Sequence, residues 1–185
     1  MNIQAPPIRD ADDFLRWNEG REGRYEFVRG RIVDMMVRVT RSHVHVASRL
    51  TLALAARLDL ERFLVGSADF GIRTPVGIRY PDVFVDGAEG EARDLAAREP
   101  VFVAEILCPS TMAVDFGPKA EEYTGIASLL HYLVLSQDEP RVWLWKRSEG
   151  GVFEAPEMIA GRDETLALDG LGLTIPLAEL YRGVA

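Results

Sequence analysis

The sequence predicts an α/β or α+β fold, a mixed β-sheet flanked by helices with additional antiparallel strands. Three observations predict it. Helical and strand patterns follow one another as helix, strands, helix, strands, helix, strands, an order that builds layered folds. The run "PVFVAEILC" is almost continuously apolar, as in a strand covered on both faces. The segment "SHVHVASRLTLALAARLDL" carries Val46, Ala47, Leu50, Leu54 and Leu58 at helical spacing, which gives the sheet an amphipathic cover.

The elements follow in order. "IRDADDFLRWNE" reads as a helix with Asp10 as N-cap and Phe14, Leu15 and Trp17 as its apolar contacts. "RYEFVRGRIVDMMVRV" reads as two strands around a turn at Arg29-Gly30. The strongest helix follows, with Ser42 as its expected cap. "RFLVGSADFGIRT" and "IRYPDVFVD" are strands, and "DGAEGEARDLAAREP" is a surface loop with room for one helical turn. After the central strand, "PKAEEYTGIAS" is a helix with Pro118 at its first position. "LLHYLVLS" and "RVWLWKRS" form a hairpin across Gln137 to Pro140. "GVFEAPEMI", "ETLAL" and "GLTI" are weaker strands, and "PLAELYRG" is a final helix. With no repeats, no low-complexity tract and no linker, the 185 residues are expected to form one domain over 1–185.

Composition narrows the function classes. A net charge of −8 argues against a general polyanion-binding surface. A local basic patch could still come from Arg29, Arg31, Arg38, Arg41 and Arg49, although solvated arginines are the plainer reading. A single cysteine, Cys108, excludes a disulfide framework and suggests a reducing compartment. "MNIQAPPIRDADDF" has no secretory pattern, and the apolar runs are too short to span a bilayer. The expectation is a cytoplasmic protein with no membrane partner.

Glu105 interrupts the central apolar strand. A carboxylate among Val103, Ile106 and Leu107 costs several kcal/mol unless something pairs with it. Side chains alternate along a strand, so Val101, Val103, Glu105 and Leu107 share a face, as do Asp82, Phe84 and Asp86 in "YPDVFVD". Asp82 begins its strand and Glu105 ends its own. As antiparallel neighbours they would converge at one edge of the sheet, where two carboxylates either share a proton or bind a cation. Mg²⁺ takes such oxygen ligands. The plainer reading is that Glu105 pairs with an arginine or faces solvent.

Lys119 is one of only two lysines among 21 basic residues, the other being Lys146. It lies in the first turn of its helix, where a cation opposes the helix dipole. Lysine differs from arginine in carrying a compact ammonium whose pKa is adjustable. Tyr123, one turn on, could orient it, or could simply pack in the core.

Asp82 after a proline, Glu105 on a following strand and a nearby lysine resemble the PD-(D/E)XK nuclease constellation. More closely, "YEFVRGRIVDM", "YPDVFVD", "VFVAEILCPST", "DFGPKAEEYTGI" and "HYLVLS" occur in the order found in the Uma2 (DUF820) family, a restriction-endonuclease-like group. The resemblance implies a restriction-endonuclease-like fold and metal-dependent hydrolysis of nucleic acid, DNA in the first place. It implies Mg²⁺ (or Mn²⁺) held by Asp82, Glu105 and the backbone carbonyl of Ile106. Lys119 would position the nucleophile or stabilise the phosphate in the transition state. Glu26 would add a further carboxylate, and Asp115 would orient Lys119. A homodimer would suit paired centres on duplex DNA. The chain departs from the family pattern in four places. Leu107 stands where a lysine ends the D/E-x-K triplet, Cys108 where serine is usual, Pro118 precedes Lys119, and "HYLVLS" lacks the tryptophan and aspartate of "YWLVD".

Three other readings stand beside this one. Cys108 with His43, His45 or His131 would make a nucleophile–base pair. His43 and His45 with the carboxylates would make a zinc site, although i,i+2 spacing points the two imidazoles apart. His45 could instead reach the cleft or contact phosphate. Finally, the fold could persist as a catalytically weak or inactive module acting in binding or regulation.

Overall fold

A computed structural model describes residues 8–35, 39–87, 89–108 and 112–184. The elements run α1 (Ala11–Asn18), β1 (Tyr25–Val28), β2 (Arg31–Asp34), α2 (Arg41–Ala55), β3 (Phe63–Ser67), β4 (Gly71–Thr74), β5 (Gly77–Arg79), β6 (Val83–Gly87), β7 (Ala96–Ala97) and β8 (Pro100–Leu107). They continue with α3 (Met112–Asp115), α4 (Pro118–Thr124), β9 (His131–Ser136), β10 (Arg141–Lys146), β11 (Glu157–Ala160), β12 (Thr165–Leu168), β13 (Leu173–Pro176) and α5 (Leu177–Leu180).

The six-stranded sheet has the order β11-β10-β9-β8-β6-β3. Its β8–β9 pair is parallel and its other pairs are antiparallel, so it is mixed, as expected. A five-stranded sheet, β2-β1-β5-β4-β7, and the β12–β13 hairpin complete the fold. The apolar run of β8 does mark a central strand: Phe102, Ala104 and Ile106 join the core built with Val46, Leu50 and Leu54 of α2. Val103 joins the opposite core with Ala120 and Tyr123 of α4 and Tyr132 of β9. Full burial of Leu50 contributes about 2 kcal/mol, and truncation to alanine would cost more because of the cavity left. A third cluster packs Phe14 and Leu15 of α1 on Phe27 and Ile78.

Local chemistry sets the boundaries. Asp10 caps α1, accepting from Asp13 N–H at 2.8 Å. The β1–β2 turn places Arg29 (φ 49°) and Gly30 (φ 77°) in left-handed backbone, the geometry of a primed hairpin turn. Gly77 (φ 153°) has no alternative, because a Cβ there would meet the carbonyl oxygen of Phe27 at 1.8 Å. Pro118 opens α4 as expected.

Four expectations are corrected. Thr40, not Ser42, caps α2, because its Oγ1 accepts from His43 N–H at 3.1 Å. Leu58 lies past the end of α2, joined to it by a hydrogen bond from its N–H to the Leu54 carbonyl. Ala96–Ala97 in the presumed loop pairs with β4 as a short parallel strand. "GVFEAPEMI" is not one strand: Phe153 only bridges to Arg147, and pairing resumes at Glu157. Arg38 lies outside the described residues. Among the described residues, no helix is long and apolar enough to cross a membrane.

One buried ion network ties the five-stranded sheet to α4. The Arg79 guanidinium donates to Glu122 on α4 at 2.7 and 2.9 Å and to Glu26 on β1 at 2.6 Å. All three side chains are under a tenth exposed. Arg79→Met would strand two buried carboxylates and should destabilise the protein by about 3–5 kcal/mol, measured by urea unfolding. Adding Glu26→Gln should recover part of that loss.

His131, at the start of β9, is 3% exposed, and its Nδ1 finds no hydrogen-bond partner among the described residues. Burial lowers its pKa from 6.5 to about 4, and nearby Lys146 adds to the effect. The fold holds the neutral ring, whereas the unfolded chain takes up a proton near pH 6.5. Stability from this site is therefore complete above pH 6.5 and is lost as pH falls toward 4, by about 3 kcal/mol. His131→Leu should remove this acid-side loss, and a pH series of denaturant unfolding curves checks it.

Candidate active site at the meeting of two strands

The register places the carboxylates. β6 pairs β8 antiparallel with Val83 opposite Ala104, so Asp82, one residue before, sits beside Glu105. The expected neighbourhood of the two residues is thus present, and each carboxylate takes its own partners. Glu105 is 5% exposed and lies on the α4 side of the sheet. Its Oε1 accepts from Lys119 Nζ at 2.8 Å and from the Tyr123 hydroxyl at 2.7 Å. Lys119 also lies 3.3 Å from Asp115 Oδ1, and the Asp115 carbonyl accepts from the Tyr132 hydroxyl at 2.9 Å. The neutraliser of Glu105 is thus the one lysine that the helix start brings inward. Tyr123 reaches Glu105 itself, rather than Lys119 as expected.

Asp82 differs from Glu105 in access. Its side chain is 19% exposed against 6% for Glu105. Asp82 Oδ2 accepts the Ile106 N–H at 2.7 Å, and Oδ1 lies 3.1 Å from His43 Nε2. It opens on a groove of about 580 Å³ lined by Arg24, His43, Ser48, Thr51 and Ser67. A larger cavity, about 800 Å³, lies at the far end of β6 around Asp86 and Glu99 and touches neither Asp82 nor Glu105. We assign the site to the smaller groove, because Asp82 opens there and Glu105 lies behind it on the adjacent strand.

The remaining sequence candidates separate. Glu26 is not a free ligand: it accepts from Arg79 through one oxygen and from Tyr80 N–H, at 3.3 Å, through the other. Nor does it face solvent. His45 turns away, half-buried, with Arg41 Nε 3.4 Å from its ring. His43 takes the place at the cleft. The signal for this was present, since 43, 46, 50 and 54 continue one helical face, whereas 45 falls off it. Asp115 sits in α3, one turn before Lys119, so the i,i+4 pair forms after all.

The electrostatics follow from burial. Burial pushes Glu105 up to about 8; Lys119 pulls it down, while Asp82 and Asp115 add to the rise. Burial also works against the Lys119 ammonium, but Glu105 and Asp115 outweigh it and leave its pKa above the ordinary value. The Cys108 thiol, 3.6 Å from His43 Nδ1, is raised by burial and then by Asp82 and Asp115. That is the reverse of thiol activation, so the geometry of a cysteine–histidine pair is present without its electrostatics.

Among the described residues, no three His, Cys, Asp or Glu side chains are grouped so as to enclose a metal ion, which removes the zinc reading there. Magnesium asks for less, since one or two carboxylates with water suffice. Asp82, Glu105 and a backbone carbonyl are hard oxygen donors, Asp82 borders a solvent-reached groove, and this donor chemistry fits Mg²⁺ or Mn²⁺.

Comparison with known proteins agrees with the fold and the family. The profile of the Uma2 family, described as "Putative restriction endonuclease", matches residues 11–178. An uncharacterized protein of Synechocystis sp. (strain ATCC 27184 / PCC 6803 / Kazusa) is 27% identical over 185 residues, covering 97% of this chain and 94% of its own. A second uncharacterized protein of that organism is 27% identical over 146 residues, covering 74% of this chain and 80% of its own. The crystal structure of a "putative nuclease belonging to DUF820" from Anabaena variabilis ATCC 29413 superposes with a TM-score of 0.71 at 14% identity, over 95% of this chain and 99% of that one. With a profile match across most of its length, the chain belongs to the Uma2 family.

Proposed function

We propose that the protein is a metal-dependent endonuclease that hydrolyses phosphodiester bonds of nucleic acid, with DNA as the substrate of first choice. The observation that carries this reading is the meeting of Asp82 and Glu105 from adjacent strands, with Lys119 2.8 Å from Glu105. Asp82, Glu105 and the Ile106 carbonyl would hold Mg²⁺ or Mn²⁺. When bound, such an ion supplies Lewis-acid charge at the scissile phosphate and a water of lowered pKa.

The chain's own groups do the rest. Ile106 N–H and His43 fix the Asp82 carboxylate. Tyr123 fixes Glu105 through its hydroxyl. The Lys119 ammonium lies where it can offset charge that grows on a phosphoryl oxygen, and Asp115 holds it there. Water adds to phosphorus, the P–O bond to one nucleoside breaks, and that oxygen leaves as a hydroxyl. A net charge of −8 favours local engagement of the strand over broad phosphate binding. A two-fold dimer acting on both strands of a duplex fits the same reading.

The test is a cleavage screen over single- and double-stranded DNA and RNA with Mg²⁺, Mn²⁺ or chelator. Cleavage should need the divalent ion, and Glu105→Gln and Asp82→Asn should each abolish it while circular dichroism shows a folded protein. Cleavage that survives both substitutions ends the proposal. In chelator the same Glu105→Gln variant should gain stability over wild type as pH rises from 4.5 toward 8. Over that window the wild-type fold retains a proton that the unfolded chain releases, so wild-type stability falls while the glutamine does not titrate. Thermal unfolding in chelator across pH reads this, and adding Mn²⁺ should raise the wild-type midpoint but not that of Glu105→Gln.

A further inference from the structure

Asp82 is held by two donors, and the second of them belongs to a longer line of contacts. His43 Nε2 lies 3.1 Å from Asp82 Oδ1, and His43 Nδ1 lies 3.6 Å from Cys108 Sγ. His43 is 6% exposed in the first turn of α2. That turn is pinned to the sheet: Thr40 Oγ1 accepts from His43 N–H and donates to the Gln137 side chain just past β9. We propose that His43 is a positioning residue for Asp82, and that the Cys108 thiol satisfies the ring nitrogen that Asp82 leaves as an acceptor, which completes this positioning.

The order of donors follows from elementary bookkeeping. An aspartate carboxylate only accepts, so His43 Nε2 must carry the proton that faces Asp82. In a neutral imidazole the other nitrogen is then an acceptor. The group facing Nδ1 must donate, and an S–H does so. The contacts run Cys108 S–H to Nδ1, then Nε2–H to Asp82 Oδ1, while Ile106 N–H satisfies Oδ2. Both oxygens of Asp82 are thereby directed, and its outward lone pairs remain on the groove side. Outer partners of this kind set the orientation and basicity of a ligating carboxylate.

The consequence for metal affinity rests on the reading of Asp82 as a metal-holding carboxylate; the tautomer does not. The experiment therefore has two arms. Nitrogen-15 NMR of the histidine rings in the metal-free full chain, at mildly alkaline pH, should show His43 as the Nε2–H form in wild type and in Cys108→Ser. In Cys108→Val the ring should stay in the Nε2–H form, with the Nδ1 nitrogen-15 signal moved toward that of an imidazole nitrogen without a donor. Calorimetric titration with Mn²⁺ alone should show affinity weakened about 10- to 100-fold in His43→Ala, less in Cys108→Val, and restored in Cys108→Ser. An Nδ1–H ring in wild type overturns the proposal, and so does unchanged Mn²⁺ affinity in both His43→Ala and Cys108→Val when Asp82→Asn has lost it. Wild-type affinity in Asp82→Asn overturns the functional reading instead, and the NMR arm still decides the donor order. If His43→Ala does not fold, the cysteine pair carries the test.

Discussion

The rest of the site depends on one carboxylate buried in the middle of a sheet. Glu105 occupies a position that strand pairing would fill with valine or isoleucine. Its charge in that place costs several kcal/mol unless it is met by donors and an opposite charge. Lys119 and Tyr123 meet it on a single oxygen. Both come from α4, a helix of seven residues whose buried side carries Lys119, Glu122 and Tyr123. Spacings of three and four put these on one face. The usual apolar stripe is replaced here by a charged one.

So short a helix is not stable by propensity alone. Its position follows from what it binds. Glu122 engages Arg79, which also holds Glu26, so α4 is fixed to the five-stranded sheet. Lys119 engages Glu105 and Asp115, so it is fixed to the six-stranded sheet as well. Tyr123 and Ala120 add apolar contact between these anchors. The Lys119 ammonium is placed by groups on both sides of it and has little freedom to drift. A group that acts on developing charge has to be held in this way.

Much of this was legible in the sequence. The apolar run of β8 with its single glutamate, the strand-initial Asp82 and the proline-opened helix with Lys119 predicted the meeting correctly, because alternation and antiparallel pairing fix faces without knowledge of the rest. What escaped was decided by long-range partners. Glu26 looked free because Arg79, 53 positions away, has no local signature that marks it as a partner. His45 was the histidine expected at the cleft, but the helical face through Val46 and Leu50 carries His43 there instead. Ser42 lost the cap to Thr40 because the backbone entered α2 two residues earlier. The short strand Ala96–Ala97 gains its structure from β4, and a small-residue run far from its partner predicts nothing.

The charge balance of the cluster argues that its purpose is not stability. Five carboxylates, Glu26, Asp82, Glu105, Asp115 and Glu122, gather around two cations, Arg79 and Lys119. Apolar residues of similar volume commonly replace buried ion pairs at no cost, and often with a gain of 1–4 kcal/mol. A core selected only for folding would drift toward them. The surplus is also one-signed, and it is open to solvent at one place, the Asp82 side of the groove. On the proposed function, excess negative charge behind a single aspartate would draw a small, hard cation to that opening and repel a polyanion that arrives without one. The acids that make the apo protein costly would then make nucleic-acid engagement conditional on the ion.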